Sequence, residues 1–148
     1  EIPVATRSAE VRIEPENPPE DSRVTRLREY FTAKHSPLVG TEQTFIEIAD
    51  QYELDWTLLP AIAGVESGFE RAGNVDDFNP FGYMCNGRPC RFSSFEDGIE
   101  TVGRTIGTGR AYARFRESGS VSVLAEVYNY VSPEEWSHKI TFFQREIK

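Results

Sequence analysis

Residue types that build reactive centres are scarce in this chain: two cysteines, two histidines and one methionine among 148 residues. His35 and His138 lie far in sequence from each other and from both cysteines, so no zinc-ligand spacing occurs. Asp76-Asp77 is too sparse for a calcium loop. No metal and no cofactor is expected. Positive charge is also short, with 16 Lys and Arg against 24 Asp and Glu and a net charge of −8. A surface of that sign repels phosphate backbones and anionic lipid headgroups, so neither nucleic acid nor a membrane is an expected partner. No apolar run is long enough to span a bilayer. Internal repeats are absent. Against this acidic background Arg104, Arg110, Arg114 and Arg116 form a local basic stretch, read either as a solvated helix face or as a rim for an anionic polymer.

The length suits one domain with one core. Ten Phe, six Tyr and two Trp supply that core with large apolar groups. Residues 1–20 are rich in Pro and Glu without a helical stripe, and read as a flexible tail; residues 21–148 are the domain. There the apolar spacing is helical. Asp21 or Ser22 caps a helix bearing Val24, Leu27, Tyr30 and Phe31, ended by Ser36-Pro37 and Gly40. Thr41 caps a second with Phe45, Ile46, Ile48, Ala49 and Tyr52. Asp55 opens a third, Trp56 to about Ser67, apolar nearly all round and therefore the expected buried centre, with Pro60 near its first turn and Gly68 as its stop.

From Gly68 to Phe92 the periodicity collapses into a long loop whose aromatics, Phe78, Phe81, Tyr83 and Phe92, argue for packing and whose length argues for function. A short ribbon fits inside it. Cys85 and Cys90 flank Asn86-Gly87-Arg88-Pro89, a tight turn that suits a local disulfide in an exported protein; free surface thiols are the alternative, and a redox pair fits less well because the spacing is not Cys-x-x-Cys. Beyond the loop, Ser93 with Glu96 reads as a capping box ahead of Phe95, Ile99, Val102 and Ile106. Gly107 and Gly109 break that run. A helix bearing Tyr112 and Phe115 follows, then one from near Ser120 with Val123, Leu124 and Val127. Ser132-Pro133-Glu134-Glu135 starts the last, striped by Trp136, Ile140, Phe143 and Ile147. The fold class is all-α.

Glu66 stands near the C-terminal end of the most apolar helix. Desolvation there raises a carboxyl pKa and keeps the acid form present near neutral pH, as a general acid requires. A Glu capped by backbone N–H groups or paired with an Arg is the alternative. Glu70, Asp76 and Asp77 are candidate second carboxylates, which a direct glycoside hydrolase would need at a set distance.

Glu66-Ser67-Gly68-Phe69, preceded by Leu58-Leu59-Pro60-Ala61-Ile62, resembles the catalytic helix of the soluble lytic transglycosylase and goose-type lysozyme superfamily. Phe81-Gly82-Tyr83-Met84 is similar to that family's Gly-Leu-Met-Gln motif, and Asn79-Pro80-Phe81-Gly82 to the Asn-x-Phe-Gly motif of bacterial endo-glucosaminidases. Tyr128-Asn129 resembles the Ala-Tyr-Asn motif. The likeness runs from about Thr41 to Trp136. It implies a compact lysozyme-like helical domain whose active-site loop is closed by the disulfide, cleaving peptidoglycan between N-acetylmuramic acid and N-acetylglucosamine. Glu66 is then the general acid and later the base, with the muramyl hydroxyl attacking to leave an anhydro-sugar. Tyr128 orients or hydrogen-bonds Glu66, Asn129 supports it or the substrate, Ser67 hydrogen-bonds substrate, Phe81 contacts substrate, and Tyr83 and Met84 line the groove. Phe81, Tyr83 and Tyr128 read equally as packing residues. The sequence departs from the family pattern at Cys85, where Gln is usual, at Val127 in place of Ala, and at Glu70 in place of Asn or Asp. The chain is either cytosolic or exported with its signal peptide removed or lying beyond this sequence; the cysteine pair favours the second, a periplasmic or extracellular location, and a monomer acting on glycan strands is expected.

Overall fold

A computed structural model describes residues 3, 4 and 18–148. The expected tail therefore lies largely outside the described residues. Its last residue, Glu20, is fixed to the domain: its carboxylate accepts from Thr25 Oγ1 at 2.7 Å and from Arg28 Nη2 at 2.6 Å.

The described residues form seven α-helices and one two-stranded ribbon: α1 Ser22–Ala33, α2 Glu42–Gln51, α3 Leu58–Ser67, β1 Met84–Cys85, β2 Arg88–Pro89, α4 Phe95–Thr108, α5 Ala113–Ser118, α6 Val121–Tyr128 and α7 Pro133–Ile147. The all-α expectation holds, and so does the ribbon inside the loop: β1 and β2 pair antiparallel, Met84 opposite Pro89, and the disulfide Cys85–Cys90 closes the turn. No helix among the described residues is long and apolar enough to cross a membrane.

α3 is the centre. Leu58 through Gly64 are all buried, with α7 and α2 packed against the helix. Burying side chains such as Leu58, Leu59 and Ile62 contributes about 1.5–3 kcal/mol each. The apolar stripes read from sequence face inward in α1 (Val24, Leu27, Tyr30, Phe31) and in α4 (Ile99, Val102, Ile106). In α7, Trp136, Ile140 and Ile147 are buried. α7 returns to the start of the domain, where Arg26 donates to the carbonyls of Ile147 and Glu146, each at 2.9 Å, and Tyr30 Oη donates to the Glu146 carboxylate at 2.7 Å.

Helix ends depart from the sequence reading where tertiary contacts decide them. Asp21 caps α1 as expected, accepting from Arg23 N at 2.9 Å. Thr41 precedes α2, but its hydroxyl donates to Leu38 O, and Glu42 accepts the Gly40 N–H instead. The box ahead of α4 sits one residue later than Ser93 with Glu96: Ser94 Oγ accepts from Asp97 N at 3.0 Å, and the Asp97 carboxylate takes the Ser93 N–H. Gly107 does not end α4, which runs on to Thr108. That glycine lets the helix lie against Tyr52, whose Cβ would be 2.6 Å from any Cβ at this position. In the basic stretch, Arg116 donates to the carbonyls of Ile106 and Gly109, Arg114 pairs with Glu126, and Arg104 with Glu100.

Candidate active site

α3 ends in a left-handed cap at Gly68, whose N–H returns to the helix. One residue of its last turn escapes burial: Glu66 is exposed, although the helix around it is not. Its carboxyl is still pushed above the ordinary glutamate value, because the surrounding protein removes part of its water; the Trp136 indole N–H, which favours the charged form, opposes that rise. Trp136 Nε1 donates to Glu66 Oε1 at 2.8 Å across the α3–α7 interface. On the other side Oε2 meets the backbone of Gly82. A Cβ at residue 82 would lie 2.7 Å from that oxygen, and the backbone there has φ +60°. Glycine is what lets the loop pass so close to the acid.

The two sides are tied together. Trp136 is buried and its ring stacks on Tyr128, with centroids 5.1 Å apart and planes 21° from parallel. Tyr128 Oη donates to Phe81 O at 2.6 Å, one residue before Gly82. The expected hydrogen bond from Tyr128 to Glu66 is thus replaced by contact through Trp136. Burial, together with the nearby Glu66 charge, raises the Tyr128 phenol well above its usual range, so it stays a neutral donor.

Two clefts lie near Glu66: it lines one, and Gly82, beside its Oε2, lines the other. One, of about 250 Å³, is lined by Val65, Glu66, Asn129, Ser132, Glu135, Trp136 and Lys139. The other, of about 240 Å³, is lined by Gly82, Tyr83, Met84, Thr105, Tyr112 and Tyr128. Of the residues expected to contact substrate, Tyr83, Met84 and Asn129 therefore stand at the clefts. Met84 is 55% exposed, while Tyr83 holds its hydroxyl 3.2 Å from Thr105 Oγ1. Asn129 Oδ1 accepts from Ser132 N at 3.2 Å, fixing the α6–α7 turn.

Ser67 and Phe81 face inward, which corrects the expectation that they contact substrate. The buried Ser67 hydroxyl lies 2.9 Å from Ala63 O and 2.8 Å from Pro80 O, and its oxygen accepts Glu70 N–H at 2.9 Å. It staples the loop to α3. Phe81 is fully buried and packs edge-on to Phe45, with centroids 6.1 Å apart. The candidate second carboxylates also stay out of both clefts. Glu70 is 1% exposed, Asp77 pairs with Arg91 at 2.9 Å, and Asp76 lies beside it in the same 3₁₀ turn.

Three residues that matter here carried little sequence signal. Trp136 reads as core because it falls on the α7 stripe. Glu135 reads as a helix-start acid, yet it lines the Glu66 cleft while paired with Lys139 at 2.9 Å. Asn79 organises the loop: its Nδ2 donates to Tyr83 O at 2.8 Å and Cys90 O at 3.0 Å, and its Oδ1 accepts from Tyr83 N at 3.2 Å. Its signal was present in the Asn-Pro-Phe-Gly turn, where an Asn ahead of Pro favours turn initiation.

A separate cavity of about 350 Å³ is bounded by residues including Tyr52, Asp55, Leu58, Phe115 and Arg116, away from Glu66. Two of its polar residues are engaged, Asp55 with Thr57 and Lys148 and Arg116 with backbone carbonyls. Among the described residues, no three His, Cys, Asp or Glu side chains are grouped to hold a metal. No protein-family model matches the chain, and no curated protein is significantly similar to it in sequence.

Proposed function

We propose that this protein cleaves the glycan strands of bacterial peptidoglycan, between N-acetylmuramic acid and N-acetylglucosamine, as a lytic transglycosylase with Glu66 as its single acid–base group. One observation carries the reading: a glutamate with a raised pKa lines a cleft, one carboxyl oxygen held by an indole and the other beside a glycine that lines a second cleft. In the first step Glu66 gives its proton to the glycosidic oxygen as the bond to the muramyl anomeric carbon breaks. In the second, the resulting carboxylate takes the proton of the muramyl hydroxyl as that oxygen closes on the same carbon. The anhydro ring forms and Glu66 regains its acid form. This sequence needs no second protein carboxylate, in keeping with Glu70, Asp76 and Asp77 standing outside both clefts. The lysozyme-like family and the location outside the cytoplasm belong to the same proposal. The disulfide and the motifs Glu66-Ser67-Gly68-Phe69, Phe81-Gly82-Tyr83-Met84 and Tyr128-Asn129 support it.

Glu135 in the Glu66 cleft favours a second reading, direct hydrolysis of the same glycan by a muramidase or glucosaminidase, with Glu135 freed from Lys139 to activate water. Digestion of purified peptidoglycan with the protein and with Glu66→Gln, followed by mass spectrometry, tests both. Loss of at least about a thousandfold in rate is expected for Glu66→Gln. Anhydro-muramyl ends support the transglycosylase, and free reducing ends the hydrolase. Glycan bound without cleavage by the parent protein would overturn both in favour of a binding module.

A further inference from the structure

The indole of Trp136 carries one hydrogen and no acceptor, and that asymmetry biases where the proton of Glu66 resides. In its acid form a carboxyl has one hydroxyl and one carbonyl oxygen. Trp136 Nε1–H points at Oε1 from 2.8 Å; the carbonyl oxygen of an acid is a stronger acceptor than its hydroxyl oxygen, so this contact favours Oε1 as the carbonyl and Oε2 as the hydroxyl. We infer that Trp136 is a positioning residue, which biases the proton of Glu66 toward Oε2, facing Gly82, and so sets the side from which the leaving oxygen is protonated. This rests on the proposal that Glu66 is the acid.

The arrangement is held from both ends. Trp136 is 2% exposed and cannot swing away, because its ring is stacked on Tyr128. Tyr128 Oη in turn grips Phe81 O at 2.6 Å, next to the Gly82 backbone beside Oε2. One stack of two rings therefore sets both the acid and the backbone it faces. Gly82 packs too close to Oε2 to admit an atom between them, so the scissile oxygen approaches Oε2 beside that glycine, with sugar on one side toward Tyr83 and Met84 and on the other toward Asn129 and Ser132.

The test is an NMR titration of the whole chain, read at the Glu66 side-chain carboxyl carbon and at the two indole N–H resonances. Trp56, the chain's other tryptophan, serves as the internal control. The Trp136 signal is expected to move with the Glu66 midpoint while Trp56 does not. Trp136→Phe is expected to raise that midpoint by about one pH unit, because a hydrogen bond to the charged form is lost. On peptidoglycan the same variant is expected to lower kcat about tenfold with KM within about twofold, its pH profile displaced upward with the midpoint. A Trp136 signal that stays flat through the Glu66 titration, or a midpoint unmoved in Trp136→Phe, overturns the inference. If Trp136→Phe does not fold, the indole titration of the parent protein decides alone. These readouts need no activity, so failure to cleave glycan would sink the proposed function while leaving this result readable.

Discussion

Four residues beyond Glu66 stands a second unusual glutamate. Glu70 is 1% exposed, sits at φ +65°, and neither of its carboxyl oxygens finds a hydrogen-bond partner among the described residues. A bare charge in such a place is costly, and burial, reinforced by the Asp77 charge, pushes its pKa up. The sign of the consequence follows from linkage. A carboxyl whose folded pKa exceeds its unfolded value of about 4.3 contributes fully to stability below that value, and the contribution is lost as pH rises through the folded pKa. Glu70→Gln removes that titration. Thermal melts are expected to show the variant near parity with the parent at pH 4 and more stable at pH 8, each kcal/mol appearing as roughly 3–5 °C. Equal Tm differences at the two pH values would mean that Glu70 does not titrate in this range. Glu66 titrates in both proteins and drops out of the comparison.

The loop between α3 and α4 is the element that builds the site, and it is the one that periodicity could not resolve. Its form comes from separate pins: Ser67 on Pro80, Tyr128 on Phe81, and Asn79 on Tyr83 and Cys90. These deliver Gly82 to Glu66. Gly82→Ala combines a left-handed alanine, costing about 1–2 kcal/mol, with a methyl group against Oε2. Activity is expected to fall at least tenfold while the protein stays folded by circular dichroism; activity within twofold of the parent would show that Oε2 need not lie against residue 82. What was legible in the sequence divides along the same line. Helices α1, α4 and α7 were readable because each buries one stripe, written in residue type every three or four positions, and α3 because it is apolar nearly all round. Glu66 was readable because a charge on so apolar a helix is anomalous. The cap ahead of α4 and the passage of α4 through Gly107 were not, since a neighbour such as Asp97 or Tyr52 decides them. Trp136 was hidden for the opposite reason: its core stripe accounts for it completely, and nothing local shows that its N–H points at a carboxyl 70 residues away. Ser67 carried a misleading signal, because the next residue of a helix is turned by about 100°, which takes its hydroxyl away from the Glu66 cleft and under the loop.

Across the whole molecule the ribbon and the acid are separable. The disulfide closes a short loop, Cys85 to Cys90, at the outer end of the cleft that holds Tyr83 and Met84, whereas Trp136, Tyr128 and Glu66 lie on helices. A crosslink over so few residues contributes about 2 kcal/mol at most, and Asn79 still ties Tyr83 O to Cys90 O without it. Replacing both cysteines by serine is therefore expected to lower Tm by several degrees and to raise KM for glycan several-fold with kcat nearly kept. A collapse of kcat would mean that the ribbon reaches the acid itself. The closure of α7 on α1 through Arg26 has a different kind of consequence. Synthesis delivers the chain in order from its N-terminal end. Glu66 emerges early, but the helix that holds its carboxyl is the last element of the domain, anchored to the first. Until α7 docks, α3 lacks one wall, Glu66 lacks its indole, and Tyr128 has no ring to stack upon. The site built on Glu66 is thus assembled last, when the domain has closed from end to end.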